Sequence, residues 1–151
     1  MFRFEKERLR EDLKLGEGEN STVFAYSKHS QDDRWAVKHI WTQDTTIFLR
    51  SMQEIVLGFS CDHPSILPIK GYFVEEDKNS RAWSLCLKVP RMQGNLKDVL
   101  NVFRSQKRDL PLQRVVKYFH ALTNGLEYLH QRKIAHRNIK ASNILLIRRG
   151  T

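Results

Sequence analysis

An α+β fold built in two successive parts is predicted by three observations. Short β-like runs and turn residues fill the stretch before residue 88, helical periodicity dominates after residue 95, and the change falls at a connector near 88–95. Runs of strands followed by runs of helices give this class rather than an alternating α/β one. At 151 residues the chain is long enough for about one domain of roughly 100–200 residues. The order predicts a β-rich half and the start of a helical half, with a cleft between two lobes where ligand sites tend to lie.

The elements follow in order. Residues 4–14 are dense in alternating charge, and from Leu15 the composition turns to Gly16-Glu17-Gly18-Glu19-Asn20-Ser21-Thr22-Val23-Phe24-Ala25-Tyr26, read as strand, glycine turn, strand. A polar turn is expected over 29–34, then the short apolar run Trp35-Ala36-Val37-Lys38-His39-Ile40 as a strand carrying a single lysine. Phe48, Met52, Ile55 and Phe59 recur at helical spacing with Glu54 beside them, and the helix ends at Asp62-His63-Pro64-Ser65, because proline disfavours helical geometry in the residue before it. Strands are expected around 66–73 and 83–89, joined by a polar loop over 75–81. A short helix is predicted near 96–103, and a long one after Asp109-Leu110-Pro111. The long helix places Val115, Phe119, Leu122, Leu126 and Leu129 on one stripe. Its interior Gly125 costs about 1 kcal/mol relative to alanine, which is tolerable where a neighbouring element packs close. The run Asn143-Ile144-Leu145-Leu146-Ile147 reads as a last strand, and no internal repeat or low-complexity tract occurs.

Hydrophobic residues make up 40% of the chain and aromatics 10%, enough for a packed core and against a disordered chain. No run approaches the ~20 apolar residues of a membrane span, and Met1-Phe2-Arg3-Phe4-Glu5-Lys6 alternates charge where a signal peptide needs an apolar stretch. A soluble, cytoplasmic protein is expected. Cys61 and Cys86 lie far apart and make no metal-ligand spacing with the histidines, which fits a reducing compartment. The formal net charge of +9 is unevenly placed: residues 1–103 hold 15 basic and 15 acidic side chains, residues 104–151 hold 11 and 2. A solvated face, a surface for nucleic acid or anionic lipid, and a face toward an acidic segment beyond this chain all fit that asymmetry.

Taken singly, the chemistry-bearing residues are ambiguous. Gly16-x-Gly18-x-x-Ser21-x-Val23 suits a plain hairpin turn, and equally a loop whose backbone N–H groups approach a phosphate closely. Lys38 fits a snorkelling strand lysine or a point charge on phosphate oxygens, in which case Glu54 is the available carboxylate to orient it. The most specific stretch is His136-Arg137-Asn138-Ile139-Lys140-Ala141-Ser142-Asn143-Ile144-Leu145-Leu146.

In combination and in this order, these segments resemble the eukaryotic protein kinases. The glycine segment is similar to G-x-G-x-x-G-x-V with Ser21 in place of the third glycine, Trp35-Ala36-Val37-Lys38 to V-A-I-K, and His136-Arg137-Asn138-Ile139-x-x-x-Asn143 to H-R-D-L-x-x-x-N. Glu54, nine residues before His63-Pro64, falls where the family's helix αC carries the glutamate that pairs with the strand lysine. The resemblance spans about residues 13–147. It implies a five-stranded antiparallel N-lobe with helix αC over about 1–87, a hinge within 88–95, and an incomplete helical C-lobe over 96–151 reaching the catalytic loop. Lys140 is similar to the serine/threonine and tyrosine-kinase-like branches. ATP and Mg2+ are the implied ligands: Gly16, Gly18 and Ser21 over the phosphates, Val23 and Ala36 beside the adenine, Lys38 and Glu54 at the α/β-phosphates, Asn143 on the metal. Lys88, at or near the back of the adenine pocket, is expected to weaken nucleotide binding.

Two departures bear on activity. Asn138 stands at the position of the base aspartate; its carboxamide accepts a hydrogen bond but lacks usable basicity, a loss of about 10²–10⁴ on general-base grounds. The chain reaches Thr151 without the family's Asp-Phe-Gly or Ala-Pro-Glu segments, so a truncated, catalytically impaired (pseudokinase-like) domain is expected, with weak metal-dependent affinity. The long helix's stripe is then expected to be left exposed and solubility to be poor. The alternative is a kinase-fold interaction or regulatory module that binds a protein partner and no nucleotide. Binding of specific nucleic acid through Tyr118, Phe119 and Tyr128 is disfavoured, because those aromatics lie on or beside the helix's apolar face.

Overall fold

The computed structural model describes residues 9–27 and 34–147. Contacts divide the chain into two units, one formed by residues up to Asp62 together with Leu67–Arg91, the other by His63–Ile66 and the residues from Met92 onward.

The first unit is a five-stranded antiparallel sheet with one helix. Its strands are β1 (Leu9–Gly18), β2 (Ser21–Tyr26), β3 (Trp35–Thr42), β4 (Gly71–Asp77) and β5 (Ala82–Pro90), in the spatial order β1-β2-β3-β5-β4. β1 begins at Leu9, earlier than the composition change at Leu15 suggests, and its pairing with β2 shifts register between Arg10 and Gly16. The polar turn expected at 29–34 lies outside the described residues apart from Arg34. The strand expected at 66–73 starts only at Gly71: Pro68 has no N–H to give a ladder, and pairing resumes where Lys70 N–H donates to Lys88 O at 2.8 Å. In exchange β4 extends to Asp77, so the polar loop shrinks to a turn. Ser80 Oγ donates to Asp77 Oδ2 at 2.6 Å and Asn79 N–H to Asp77 Oδ1 at 2.9 Å, bonds that hold the Asp77 carboxyl below its ordinary range.

Helix α1 (Thr45–Ser60) starts at Asp44, whose Oδ1 accepts from Thr46 N–H at 2.6 Å and Ile47 N–H at 3.2 Å. It packs Ile55 against Ile40, Leu85 and Leu87 of the sheet, with Ile47, Phe48, Met52 and Trp83 around them; the Phe48 and Trp83 rings stack at 4.7 Å. Burying each such aliphatic side chain contributes about 1.5–3 kcal/mol, so this cluster is what fixes α1 on the sheet. A second core, of Tyr26, Val37 and Cys86 with Trp35 and Phe73, occupies the opposite face.

The second unit holds α2 (Leu96–Ser105), α3 (Leu112–Gln131), a 3₁₀ turn at Ala141–Asn143, and a two-stranded ladder of β6 (Gly94–Asn95) with β7 (Leu145–Leu146). Asn95 and Asp98 close a capping box on α2. Both helices end in Schellman motifs with a lysine where glycine is usual. Lys107 (φ 50°) and Lys133 (φ 61°) donate to Arg104 O and His130 O, and the following Arg108 and Ile134 donate to Phe103 O and Leu129 O. The expected strand at 143–147 contracts to Leu145–Leu146, because Asn143 is taken up by the 3₁₀ turn. On α3 the stripe divides: Leu129 and Gly125 are buried and Leu122 and Leu126 half-buried, while Val115 and Phe119 are exposed, Phe119 at 65%. Gly125 has its close neighbour, since a Cβ there would stand 3.2 Å from Ser65 Cβ.

Candidate active site

One row of directly paired residues crosses the sheet: Gly16 opposite Val23, Val23 opposite Lys38, Lys38 opposite Leu87, Leu87 opposite Tyr72. Side chains alternate along a strand, so directly paired positions share a face. Ser21 and Gly18, paired with each other two residues from Val23 and Gly16, lie on that face too, as does Ala36, paired with Val89. The predicted residues of this half therefore fall on a single face of the sheet, the one that α1 covers at Leu85 and Leu87.

On this face Lys38 Nζ donates to both carboxylate oxygens of Glu54, at 2.7 and 2.9 Å. The pair is partly exposed, with side-chain exposures of 29% and 51%, and such pairs contribute about 0–1 kcal/mol. Against the apolar cluster that is a minor share of what holds α1. What the bidentate grip does is aim the ammonium.

The glycines are not explained by backbone conformation, since neither Gly16 nor Gly18 has positive φ. A Cβ at Gly16 would meet nothing within 4 Å, and one at Gly18 would meet Ser21 alone, its Oγ at 3.1 Å and its backbone O at 3.7 Å. The hairpin closes through Glu19 and Asn20. Its inner space is open at Gly16, which suits close approach of an anion to the backbone.

Lys88 is a correction. Opposite Val37, it lies on the face away from Lys38, with its ammonium 4.5 Å from the Trp35 ring centroid and 5.4 Å from that of Tyr26. Leu87, not Lys88, shares the face of Lys38, which only the β3–β5 register reveals. At the end of β5, Pro90 has no N–H, and Arg91 N–H donates to Arg34 O at 2.8 Å.

In the second unit, Asn143 Nδ2 donates to Asn138 O at 2.9 Å, and Asn138 N–H donates to His136 Nδ1 at 3.3 Å. Arg137, between them, has φ 62°, a left-handed conformation that costs a non-glycine residue on the order of 1–2 kcal/mol. Lys140 precedes the 3₁₀ turn and is exposed. The loop thus ties Asn138 and Asn143 together through backbone and amide groups, and leaves Lys140 pointing at no carboxylate among the described residues.

The donor set fits the two implied ligands differently. A strand ammonium aimed by a carboxylate, beside an open glycine turn, fits nucleotide phosphates. Mg2+ usually takes one or two carboxylates besides phosphate oxygens, whereas here Asn143 offers one amide oxygen, and no cluster of three His, Cys, Asp or Glu occurs among the described residues. By itself this set does not make a Mg2+ site.

A five-stranded sheet with a lysine–glutamate pair between β3 and α1, continued by helices and an asparagine-bearing loop, defines a kinase N-lobe and part of a helical C-lobe. The chain belongs to the protein kinase domain family, whose model matches residues 9–151. It is 31% identical over 141 residues to the probable serine/threonine-protein kinase PBL5 of Arabidopsis thaliana, covering 91% of this chain and 32% of that protein. Mitogen-activated protein kinase kinase kinase 17 of Arabidopsis thaliana is 28% identical over 136 residues, 90% of this chain and 35% of that protein. Serine/threonine-protein kinase TAO1-A of Xenopus laevis is 27% identical over 153 residues, 99% of this chain and 14% of its own length. The chain therefore spans about a third or less of the length of these relatives. Among the described residues no helix is long and apolar enough to cross a membrane.

Proposed function

We propose that this chain is a nucleotide-binding protein kinase domain of the serine/threonine type, impaired at the phosphoryl-transfer step. The observation that carries the reading is the bidentate Lys38–Glu54 pair in the same row as Gly16 and Val23. ATP would supply the phosphoryl group. Gly16, Gly18 and Ser21 lay backbone N–H groups along its phosphates, Val23 and Ala36 give an apolar surface for the adenine, and Lys38 holds the α/β-phosphate oxygens with Glu54 fixing its direction. Asn138 accepts a hydrogen bond from the substrate hydroxyl and orients it but does not take its proton, Lys140 adds positive charge beside it, and Asn143 offers one oxygen to Mg2+.

The second reading, an interaction module that binds no nucleotide, is favoured by the end of β5. With Pro90 lacking an N–H and Arg91 N–H engaged with Arg34 O, these two residues offer a base edge no backbone donor. Thermal unfolding with ATP, with and without Mg2+, separates the two. An ATP-dependent rise in Tm that Lys38→Met abolishes supports the first reading; an unchanged Tm at millimolar ATP supports the second. Because the pair contributes so little stability, Lys38→Met itself is expected to fold.

A further inference from the structure

We propose that the C-terminal end of α2 is a docking site for a phosphorylated peptide segment, separate from the nucleotide-binding residues. A depression of about 360 Å³ opens there, lined by Leu100, Phe103, Arg104, Lys107, Arg108, Asp109 and Leu110. Its apolar floor is Leu100, Phe103 and Leu110, and its rim carries three cations against the single carboxylate of Asp109. The Arg108 guanidinium stands 5.9 Å from the Phe103 ring centroid, and that of Arg114, from the first turn of α3, stands at the same distance.

None of these cations is held in an ion pair: among the described residues, Arg104, Lys107, Arg108 and Arg114 each lack a carboxylate within 4.0 Å. Arg104, Lys107 and Arg108 all line the one depression, and Arg108 and Arg114 both stand against the Phe103 ring. The Schellman turn folds Arg108 N–H back onto Phe103 O at 3.0 Å and holds Lys107 at positive φ, where glycine is the ordinary residue and a lysine keeps its charge on the rim at a conformational cost.

Guanidinium groups bind phosphate through paired N–H donors, and a phosphoserine or phosphothreonine brings about −1.5 to −2 charge with three acceptor oxygens. That matches a cluster of cations better than one carboxylate of an acidic peptide does. The compact, part-apolar floor suits one phosphorylated side chain and an apolar neighbour. Nucleic acid would call for cations spaced along a backbone track.

The test uses the whole chain and two immobilised degenerate peptide pools, identical except that the central serine is phosphorylated in one. We expect at least fivefold greater retention on the phosphorylated pool, lost in Arg104→Ala/Arg108→Ala, reduced in Arg108→Lys because an ammonium cannot form the paired fork, and unchanged in Arg50→Ala on α1. Circular dichroism confirms that the variants fold. Equal retention on both pools, or phosphopeptide retention that survives Arg104→Ala/Arg108→Ala, overturns the proposal. So does tighter binding to single-stranded RNA that the same substitutions abolish.

Discussion

At the residue scale, the pair Lys38–Glu54 and the substitution at Asn138 make opposite predictions. Glu54→Gln keeps the size of the side chain but not its charge, so the Lys38 ammonium loses its aim. ATP affinity is expected to fall by about tenfold, while Tm without nucleotide moves little, because partly exposed pairs contribute about 0–1 kcal/mol. Isothermal titration of the wild-type and variant chains checks this, and an unchanged affinity would remove Glu54 from the site. Asn138→Asp, made in the protein as it occurs in the cell, restores a basic carboxylate. Phosphotransfer to a serine or threonine peptide is then expected to rise by about 10²–10⁴, the usual contribution of a general base. A rate that stays at background would refute the assignment of residue 138 to the base position. Both residues were legible in the sequence, because motif spacing carries them. Leu87 was not, and Lys88 was misplaced onto its face, because one position along a strand reverses the side a residue points to and only pairing register decides it.

At the element scale, α1 and its capping residue provide a pH dependence. Backbone N–H donors of Ile47 and Thr46 hold the Asp44 carboxyl below its ordinary value of 3.8. A folded-state value that is depressed stabilises the fold fully above the ordinary value and loses that contribution as pH falls through the lowered one. Asp44→Asn keeps an acceptor on the cap without a titrating group, so its Tm is expected to depend less on pH at the acid end than that of the wild type. Identical acid profiles would refute the cap's role. Further along α1, a Cβ at Gly58 would collide with Ile69 Cδ1 and come within 2.9 Å of its Cγ1. Gly58→Ala should therefore cost about 1 kcal/mol net, overpacking of about 1–3 kcal/mol outweighing the roughly 1 kcal/mol gain in helix propensity. Lys133→Gly, at a left-handed helix end, should gain roughly 0.5–1 kcal/mol, read in the same denaturant titrations. The helices were legible from their periodicity. β7 lies within the strand expected over 143–147, but its partner β6 was not legible, since a strand of two residues has no period, and the Schellman ends lack the glycine that would announce them.

At the scale of the whole molecule, apolar surface is unevenly distributed. Leu112, Val116 and Phe119 on the first turns of α3 are exposed at 75%, 58% and 65%. Exposed apolar clusters of this kind promote association, so Leu112→Glu/Val116→Lys/Phe119→Glu should raise the soluble yield of the chain and sharpen its sedimentation profile. An unaltered profile would mean that α3 is not what limits solubility. The division into a sheet unit and a helical unit also settles which parts of the molecule different spectroscopic signals see. All three tryptophans, Trp35, Trp41 and Trp83, and both cysteines, Cys61 and Cys86, belong to the sheet unit. Tryptophan fluorescence, excited selectively so that Tyr118 and Tyr128 of α3 stay silent, and thiol labelling are thus blind to α2 and α3, whereas far-ultraviolet dichroism weights them heavily. Heating followed by both signals acts as a two-colour experiment that needs no label: superimposable curves mean that the units melt as one cooperative body, and curves that separate give the order in which they come apart.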